Sequence, residues 1–341
     1  MSKRYKTDKN YCMSSFLTFR YIYDEDKVFK EGLIHKDYQV NKNMKLIPCS
    51  SAQDVEDAIL NNLSNIDLTK AGLMLSGGID SAILASYMPK GTKAYTALCN
   101  AEGAVDETGR AQSYCSEYGL EHRIVDISWD DYLATMDALS LNDGCPVPPN
   151  EPQVYKIAKT MKEDGIETII FGDSADMVFG GYSELISKDW DYEGWKKRYT
   201  YIDPVVALNE GIEMDYVFDQ YKTGDGGIDY IQFMNDIFTV TSTGSYTNAF
   251  RMANIDYLDP YANLTMKEPL DLSRVRSGDS KYLLRELFRE RYPGVEVPEK
   301  IAMPRAMDQW MKGWSGPTRE EFSGGGGAKV FQGKGNSCCI A

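Results

Sequence analysis

Four short apolar runs alternate with helical patterns between residues 73 and 171, and this rhythm restricts the fold more than any other feature of the sequence. The runs, which we predict as strands, lie at residues 73–75, 94–99, 122–127 and 166–171. Strands that alternate with helices form right-handed crossovers, which make the strands parallel and place helices on both faces. We therefore predict an α/β fold, a parallel sheet flanked by helices. Ser51 and Asp54 predict a capping box at the start of the helix before the first strand.

The composition along the chain predicts four parts. Residues 1–45 form a short polar segment, in which the aromatic stretch 15–23 favours a strand. Residues 46–187 carry the α/β pattern, and residues 188–315 are rich in aromatic side chains and favour a mostly helical lobe that completes the site. Residues 316–341 contain four consecutive glycines and few apolar side chains, which predicts a flexible tail.

The loop LSGGIDS at residues 75–81 connects the first predicted strand to a helix. Gly77 and Gly78 permit a sharp turn that exposes backbone N–H groups, and the helix adds the positive end of its dipole. Ser76 and Ser81 add hydroxyl donors, so the loop suits a phosphate group. Asp80 would repel a bare phosphate, but it fits if Mg²⁺ lies between its carboxylate and the phosphate oxygens. The loop has neither the lysine of a Walker P-loop nor the spacing of a dinucleotide-binding fingerprint.

A second polar loop, GDSADMVFGGY at residues 172–182, follows the last of the predicted strands. The carboxyl ends of parallel strands meet at one edge of a sheet, where ligands bind. We therefore expect this loop to lie close to Asp80 at that edge. Asp173 and Asp176 also suit a cap for the helix that follows, and the two roles are compatible.

These loops resemble motifs of a known family. SGGIDS is similar to the pyrophosphate loop of the ATP pyrophosphatase superfamily, and GDSADMVFGGY resembles the SGEGADELFGGY signature of the asparagine synthetase family. SKYLLR at 280–285 resembles the KxxLR helix of that family. Lys300 and Trp310 have the spacing of its K-x-G-F-x-x-P-x-x-x-W block. The resemblance covers about residues 46–315 and corresponds to the synthetase domain of the family.

The resemblance implies both a reaction and the residues that carry it. Members of the superfamily split ATP between its α and β phosphates, and the synthetases leave AMP on a carboxylate that an amine then attacks. By resemblance, Lys300 stabilises the charge of the transition state, Asp173 is the candidate base for the amine, and Asp80 and Asp176 bind Mg²⁺. The ATP-binding residues implied in the same way are Leu75, Ser76, Gly77, Gly78, Asp80, Ser81, Leu98 and Gly172.

Several positions depart from the family pattern close to where the acceptor would lie. The glutamate of SGEG is Asp173 here, the glycine after it is Ser174, and Met177 replaces a second glutamate. The family's PFLD block is DYLD at residues 256–259. We therefore expect a carboxylate substrate that differs from the aspartate of the asparagine synthetases. A sugar acid or another small metabolite is favoured over aspartate.

The source of the nitrogen also differs from that of the glutamine-dependent synthetases. Those enzymes begin with a glutaminase domain whose nucleophile is a cysteine at residue 2. Here residue 2 is serine, and about 45 residues precede the synthetase part. We expect free ammonia, an amine substrate, or ammonia from a separate glutaminase subunit.

Composition excludes several other classes of protein. The net charge of −14 disfavours nucleic acid as a partner, because proteins bind it by neutralising phosphates. No apolar run reaches the ~18 residues that a membrane span needs, and the N-terminus is not a secretory signal. The seven scattered cysteines and two histidines favour neither a zinc site nor a disulfide framework. The expected location is the cytoplasm, without a membrane partner.

Two alternative functions stay open at this stage. One is a tRNA sulfur-transfer enzyme of the same superfamily, which would need a cysteine pair and a basic surface. The other is a non-catalytic scaffold that keeps the fold, which the glutamate replacements at Asp173 and Met177 invite.

Overall fold

The structure is a computed structural model, and it describes residues 5–35, 44–300 and 310. The strands are β1 (Lys6–Thr7), β2 (Lys27–Val28), β3 (Ile47–Cys49), β4 (Ala71–Met74), β5 (Lys93–Cys99), β6 (Glu121–Ile127), β7 (Thr168–Ile170), β8 (Asp256–Leu258) and β9 (Leu264–Met266). The helices are α1 (Lys9–Phe19), α2 (Ala52–Leu63), α3 (Ile79–Ala85), α4 (Thr108–Tyr118), α5 (Trp129–Asp143), α6 (Glu151–Glu163), α7 (Ala175–Val178), α8 (Tyr192–Tyr199), α9 (Pro204–Ala207), α10 (Asp215–Phe218), α11 (Tyr230–Phe233), α12 (Thr239–Met252), α13 (Leu272–Arg276) and α14 (Tyr282–Arg291). Further helical turns are of the 3₁₀ type at Leu68–Lys70 and Asp219–Tyr221, and of the π type at Met234–Phe238.

The main sheet is parallel throughout, and its strand order is β6-β5-β4-β7-β8. The central strand is β4, where Leu73 lies opposite Ala94 on one side and Ile170 on the other. Because β5 and β6 extend the sheet to one side and β7 and β8 to the other, the order reverses at β4. Such a reversal opens a crevice at the carboxyl ends of the strands. The predicted α/β fold with a parallel sheet is confirmed.

Helices cover both faces of this sheet. One hydrophobic cluster joins the sheet to α2, α3, α4 and α14, and another joins it to α5, α6 and α12. Neighbouring residues of a strand point to opposite faces, so Ile169 packs in the second cluster and Ile170 in the first. The inner strands β4, β5 and β7 are therefore mostly buried on both faces, which explains their short, continuous apolar sequences.

Residues 188–300 contribute strands as well as helices. Tyr257 of β8 pairs with Ile169 at one edge of the main sheet, and Thr265 of β9 pairs with Pro48 of β3. The helices α8, α10 and α11 enclose a separate aromatic cluster around Trp195. The chain after residue 188 is thus connected to the α/β part by hydrogen-bonded strands.

The prediction of a strand at residues 15–23 is wrong, because most of this stretch belongs to α1. Asp8 caps that helix by accepting the backbone N–H of Tyr11. The hydroxyls of Ser14 and Thr18 donate to backbone carbonyls four residues earlier, at 2.7 and 2.8 Å. The aromatic side chains that favour a strand are instead buried against other aromatic residues, and a helix can present them equally well.

Parts of the predicted layout lie outside the described residues. These are the tail 316–341, residues 301–309 and 311–315 of the predicted helical lobe, and residues 1–4 and 36–43 of the predicted N-terminal segment. Among the residues that the structure does describe, no helix combines the length and the apolar character needed to cross a bilayer.

Truncation of Leu284 tests how α14 is held to the sheet. This side chain is 0 % exposed and packs in the cluster shared with α2 and α3. We expect Leu284→Ala to lower the free energy of unfolding by about 2 to 5 kcal/mol, because it removes buried methyl groups and leaves a cavity. Urea unfolding of both proteins measures the difference.

Leu60→Ala on α2 is the matched control, since Leu60 is 45 % exposed. Its expected effect is about 0.5 kcal/mol or less. Equal losses from the two variants would contradict the packing of α14 described above.

Candidate active site

The loop after β4 is held together by two serines. The backbone N–H of Ser76 donates to Ser81 Oγ at 3.0 Å, and the two hydroxyl oxygens are 2.9 Å apart. The N–H of Gly78 donates to Ser76 Oγ at 3.2 Å, and α3 begins at the next residue. These bonds keep the loop in a tight turn at the carboxyl end of the central strand.

Gly77 has no room for a side chain. A Cβ at this position would lie 2.9 Å from Oε1 of Glu107 and 3.4 Å from Cδ of Arg110. Its carbonyl oxygen accepts hydrogen bonds from Arg110 and from the hydroxyl of Tyr114, each at 3.3 Å. Burial raises the pKa of Glu107, and the Arg110 guanidinium opposes this shift. The loop is thus supported from behind by α4, which explains why a glycine is needed there.

Two carboxylates and two ammonium groups form the centre of the site. Nζ of Lys281 pairs with both Asp80 and Asp176. Nζ of Lys300 lies 2.8 Å from Oδ2 of Asp176 and 2.7 Å from the carbonyl oxygen of Gly181. The structure therefore brings together the predicted metal ligands and the predicted catalytic lysine.

The two aspartates of this centre differ in electrostatics. Burial raises the pKa of Asp80, and the nearby Lys281 only partly opposes that shift. Burial also acts to raise the pKa of Asp176, but Lys281 and Lys300 outweigh it and lower this pKa. Burial acts to lower the pKa of Lys281, yet its two carboxylate neighbours raise it on balance. We therefore treat Asp176 as ionised and Lys281 as charged at neutral pH.

Lys281 is held in place by a backbone conformation that few non-glycine residues adopt. Its φ and ψ are 53° and 37°, in the left-handed region. Its N–H donates to the carbonyl of Phe179 at 3.0 Å, and its carbonyl accepts the N–H of Arg285 at 2.9 Å. Such a conformation costs on the order of 1 to 3 kcal/mol and persists where the surroundings determine it. Here those surroundings are the two backbone bonds and the two ion pairs.

The Gly-Gly pair at residues 180–181 provides the space for this ion pair. A Cβ at Gly181 would overlap Oδ1 of Asp176 and Cε of Lys281. Gly180 has a φ of +73°, and a Cβ there would lie 2.6 Å from the side chain of Leu270. The first glycine is thus required by its backbone conformation and by Leu270, and the second by the side chains that meet next to it.

Asp173 belongs to a neighbouring hydrogen-bond network. Ser242 Oγ donates to Oδ2 of Asp173 at 2.6 Å, and Tyr246 of the same helix lines the cavity beside Asp173. Burial raises the pKa of Asp173 to about 7, although the bond from Ser242 opposes the shift. Burial also raises the pKa of Asp259 to about 6, while this carboxylate accepts the N–H of Ser174 at 2.7 Å. Two carboxyl groups that titrate near neutral pH therefore lie beside the charged centre.

A cavity of about 200 Å³ joins these groups at the carboxyl end of the sheet. Gly77 and Leu98 are not part of its wall, whereas Thr96 and Ala97 of β5 are. The nucleotide contacts of Gly77 and Leu98 stay predictions. The predicted site residues that line the cavity are Leu75, Ser76, Gly78, Asp80, Ser81, Gly172, Asp173, Asp176 and Lys300.

The structure adds residues that the sequence did not single out. Lys281 opens the helix block that resembles KxxLR, so the sequence carried a signal for it. Ser242 and Tyr246 lie on α12 and belong to no motif that we recognised. Gln153 of α6 also lines the cavity and is buried. These three residues reach the site only through the tertiary fold.

The donor groups present fit a magnesium ion that is shared with a phosphate ligand. Oδ1 of Asp80 is buried and has no hydrogen-bond partner within the described part of the chain. Among those same residues, no group of three or more His, Cys, Asp or Glu could hold a metal ion by itself. Mg²⁺ is commonly bound by one or two carboxylates together with substrate phosphates and water, which is the arrangement that Asp80 and Asp176 could support.

Parts of the chain are similar to known proteins. Residues 55–224 match the family model described as asparagine synthase. A protein of Methanocaldococcus jannaschii that is named as a glutamine-hydrolysing asparagine synthetase is 24 % identical to this chain over 156 residues. That match covers 42 % of this chain, and the chain spans only 27 % of the relative's length. Among solved structures, NMN synthetase from Francisella tularensis aligns over 75 % of this chain and 100 % of its own, at 11 % identity. Its TM-score of 0.28 is too low to support a shared function.

Asp173 predicts a pH-dependent change in stability. Its pKa in the folded protein, about 7, exceeds the ordinary value of 3.8, so the folded state holds this proton more tightly than the unfolded state does. The stabilisation is complete below pH 4 and is lost as the pH rises to about 7. Because Asp173→Asn cannot ionise, its free energy of unfolding relative to wild type should increase over this range. At about 1.4 kcal/mol per pKa unit, the increase is at most about 4 kcal/mol.

Urea unfolding at several pH values between about 4.5 and 8 measures this difference. Asp57→Asn, at an exposed position of α2, is the control and should show no comparable increase. Any new hydrogen bond of the asparagine shifts the comparison by a constant amount. A difference between Asp173→Asn and wild type that is independent of pH would contradict the raised pKa.

Proposed function

Because the chain belongs, through residues 55–224, to the asparagine synthase family, we propose that it is an ATP-dependent, AMP-forming carbon–nitrogen ligase. In this reaction a carboxylate oxygen attacks the α-phosphorus of ATP, which gives an acyl-adenylate and releases pyrophosphate. An amine then attacks the acyl carbon and AMP leaves with the bonding electron pair, so that an amide forms. The observation that carries the proposal is the convergence of Asp80, Asp176, Lys281 and Lys300 beside the loop after β4.

The lysines of this centre are proposed to bind the triphosphate. Charge develops on the phosphate oxygens during adenylation, and ammonium groups fixed in advance stabilise it without further reorganisation. Lys300 is already oriented by Asp176 and by the carbonyl of Gly181, and its Nζ lies 4.9 Å from the ring centre of Tyr182. We assign Lys300 to the transition-state charge on this basis.

Asp80 and Asp176 are proposed to hold Mg²⁺. When bound, this ion neutralises charge on the phosphate oxygens and orients the leaving pyrophosphate. The buried, unpartnered oxygen of Asp80 supports the assignment. The hydrogen bonds of Ser76 and Ser81 would keep the loop in its tight turn beside the phosphates.

Asp173 is proposed as the base in the second half of the reaction. A pKa of about 7 leaves a large fraction of this carboxylate ionised at neutral pH while it still accepts a proton well. As the amine nitrogen bonds to the acyl carbon, one N–H proton passes to the carboxylate of Asp173. Ser242 keeps that carboxylate in a fixed orientation through a short hydrogen bond.

The substrate is proposed to be a sugar acid or another small metabolite whose reacting carboxylate is its only carboxylate, rather than aspartate. Apart from Lys281, Arg285 and Lys300, the described wall of the cavity holds no basic side chain. If those three groups bind the triphosphate, a second carboxylate on the substrate has no partner of opposite charge. The nitrogen source is proposed to be ammonia, an amine, or ammonia from a separate glutaminase subunit.

The described cysteines favour this ligase reaction over sulfur transfer to tRNA, whereas Cys338 and Cys339 lie outside the described residues. The cysteines within the described residues are all buried and form no disulfide, so they offer no accessible pair for sulfur chemistry. Reduced, buried thiols also fit a cytoplasmic protein, which is the location that we propose.

Exchange of labelled pyrophosphate into ATP tests the first half-reaction. We expect exchange that needs Mg²⁺ and one member of a panel of aspartate, uronic acids, nucleotide-linked sugar acids and amino-acid derivatives. Because some adenylating sites need the amine in place, the assay is repeated with ammonia while AMP is followed. Neither exchange nor AMP with any acid under either condition would contradict adenylation.

Lys300→Ala should lower the exchange rate by about 100-fold or more, because one fixed positive charge at the transition state is lost. Lys70→Ala is the matched control, since this lysine is 53 % exposed and pairs with Glu167 away from the cavity. The control should keep wild-type exchange. If Lys300→Ala did so too, the assignment of this lysine would be wrong even with the reaction intact.

Asp173→Asn should separate the two half-reactions. Pyrophosphate exchange is expected to stay within about threefold of wild type, whereas amide formation should fall by about 100-fold or more, because only the second half needs a base. Quantifying exchange and amide product in the same preparation gives both values. Equal losses in both assays would assign Asp173 to nucleotide binding instead.

A further inference from the structure

We propose that Lys281 is a built-in counter-ion of Asp80 and Asp176, so that a divalent cation enters the site only together with a triphosphate. This inference rests on the proposed function, in which those two aspartates hold the metal ion. It adds an order of binding to that function, because the site would bind a metal–nucleotide complex but would repel the free metal ion.

The first argument is the position of the ammonium group. Nζ of Lys281 pairs with one oxygen of each aspartate and thus occupies the space between the two carboxylates. Its side chain is 7 % exposed, and those of Asp80 and Asp176 are 18 % and 15 % exposed. An ammonium group has three donors and no acceptor, so two carboxylates satisfy it well. A cation that binds between the two carboxylates, through these same oxygens, must first displace this group.

The second argument is the charge balance. When both carboxyl groups are ionised, Asp80 and Asp176 contribute two negative charges and Lys281 and Lys300 two positive charges, so the four groups sum to zero. A bare divalent cation would add two uncompensated positive charges to a poorly solvated cluster, where repulsion is weakly screened. A triphosphate reverses this balance, because its oxygens attract both lysines and the metal ion. Cation and triphosphate are therefore favoured together.

The third argument is that the stem of Lys281 is fixed. Its left-handed backbone is bonded to Phe179 on one side and to Arg285 on the other. The absence of a side chain at Gly181 makes the space into which the lysine side chain fits. The ammonium group can therefore leave the aspartates only by rotation of its side chain, towards acceptors in the cavity. Phosphate oxygens in the cavity supply such acceptors.

Binding of Mn²⁺, followed by electron paramagnetic resonance, tests the inference without turnover. Wild-type protein is titrated with Mn²⁺ alone and with Mn²⁺ plus α,β-methylene-ATP, which cannot be split between its α and β phosphates. A mixture of Mn²⁺ and the analogue without protein is the blank. We expect Mn²⁺ to bind at least about 30-fold more tightly when the analogue is present. A smaller difference, or no binding in either case, would overturn the inference.

Lys281→Met supplies the second test. Removal of the ammonium group should tighten the binding of Mn²⁺ alone by about tenfold or more, whereas Lys281→Arg, which keeps the charge, should not. Lys70→Met controls for the loss of a positive charge elsewhere, because Lys70 is exposed and distant from the cavity. Unchanged Mn²⁺ affinity in a folded Lys281→Met protein would contradict the proposal. If this variant fails to fold, the wild-type titration alone still decides.

The exchange assay distinguishes this inference from the proposed function. Nucleotide-dependent Mn²⁺ binding without any pyrophosphate exchange or AMP formation would support the counter-ion role of Lys281. It would contradict only the proposed adenylation. Exchange together with tight binding of Mn²⁺ alone would support adenylation and reject the counter-ion.

Discussion

The ion pair of Lys281 with Asp80 and Asp176 is the interaction on which the rest of the site depends. It connects three segments that are far apart in the chain, namely the loop after β4, the loop after β7 and the start of α14. Replacing buried ion pairs by apolar groups is often neutral or stabilising, but removing one partner leaves a charge without compensation. This ion pair therefore contributes to the site chiefly through the geometry that it imposes, rather than through the stability of the fold. The strained backbone of Lys281 and the bare backbone of Gly181 are both consequences of that geometry.

The same centre also explains how two aspartates three residues apart obtain different roles. Asp176 faces two lysines, which lower its pKa and keep it ionised, as its proposed role of cation ligand requires. Asp173 faces Ser242, Tyr246 and two other carboxylates in a buried position, and its pKa rises to about 7. When the surroundings separate the pKa values of two neighbouring carboxyl groups, one group can stay charged while the other exchanges protons.

The features that sequence analysis predicted correctly depend on local interactions. Ser51 forms the predicted capping box with Asp54 at the start of α2. It follows from hydrogen bonds within a few residues, which a short pattern encodes. The alternation of strands and helices is likewise a local pattern with a restricted set of topologies. The two aspartate loops met as expected because carboxyl ends of parallel strands share an edge.

The features that were missed depend on contacts between distant segments. The stretch at 15–23 has the composition of a strand, yet residues 15–19 belong to α1, and its aromatic side chains pack in a cluster formed mostly by residues after 180. Strand β8 joins the main sheet although its predecessor β7 ends 86 residues earlier in the chain, at Ile170 against Asp256. Ser242 reaches Asp173 from α12 in the same manner. No local pattern in the sequence specifies these pairings, since each is set by the way whole elements pack.

The replacement of the family's glutamate by Asp173 gains a physical meaning from this arrangement. An aspartate carboxylate reaches about 1.5 Å less far from the backbone than a glutamate does, which is one carbon–carbon bond. The shorter side chain meets the hydroxyl of Ser242 on α12, and this bond holds the carboxylate towards the wall of the cavity. A base that is withdrawn in this way leaves more room between itself and the phosphate-binding centre. In the proposed reaction, the acyl carbon of the substrate would then lie closer to α12 than a glutamate in this position would permit, and we propose α12 as the element that adapts the site to its acceptor.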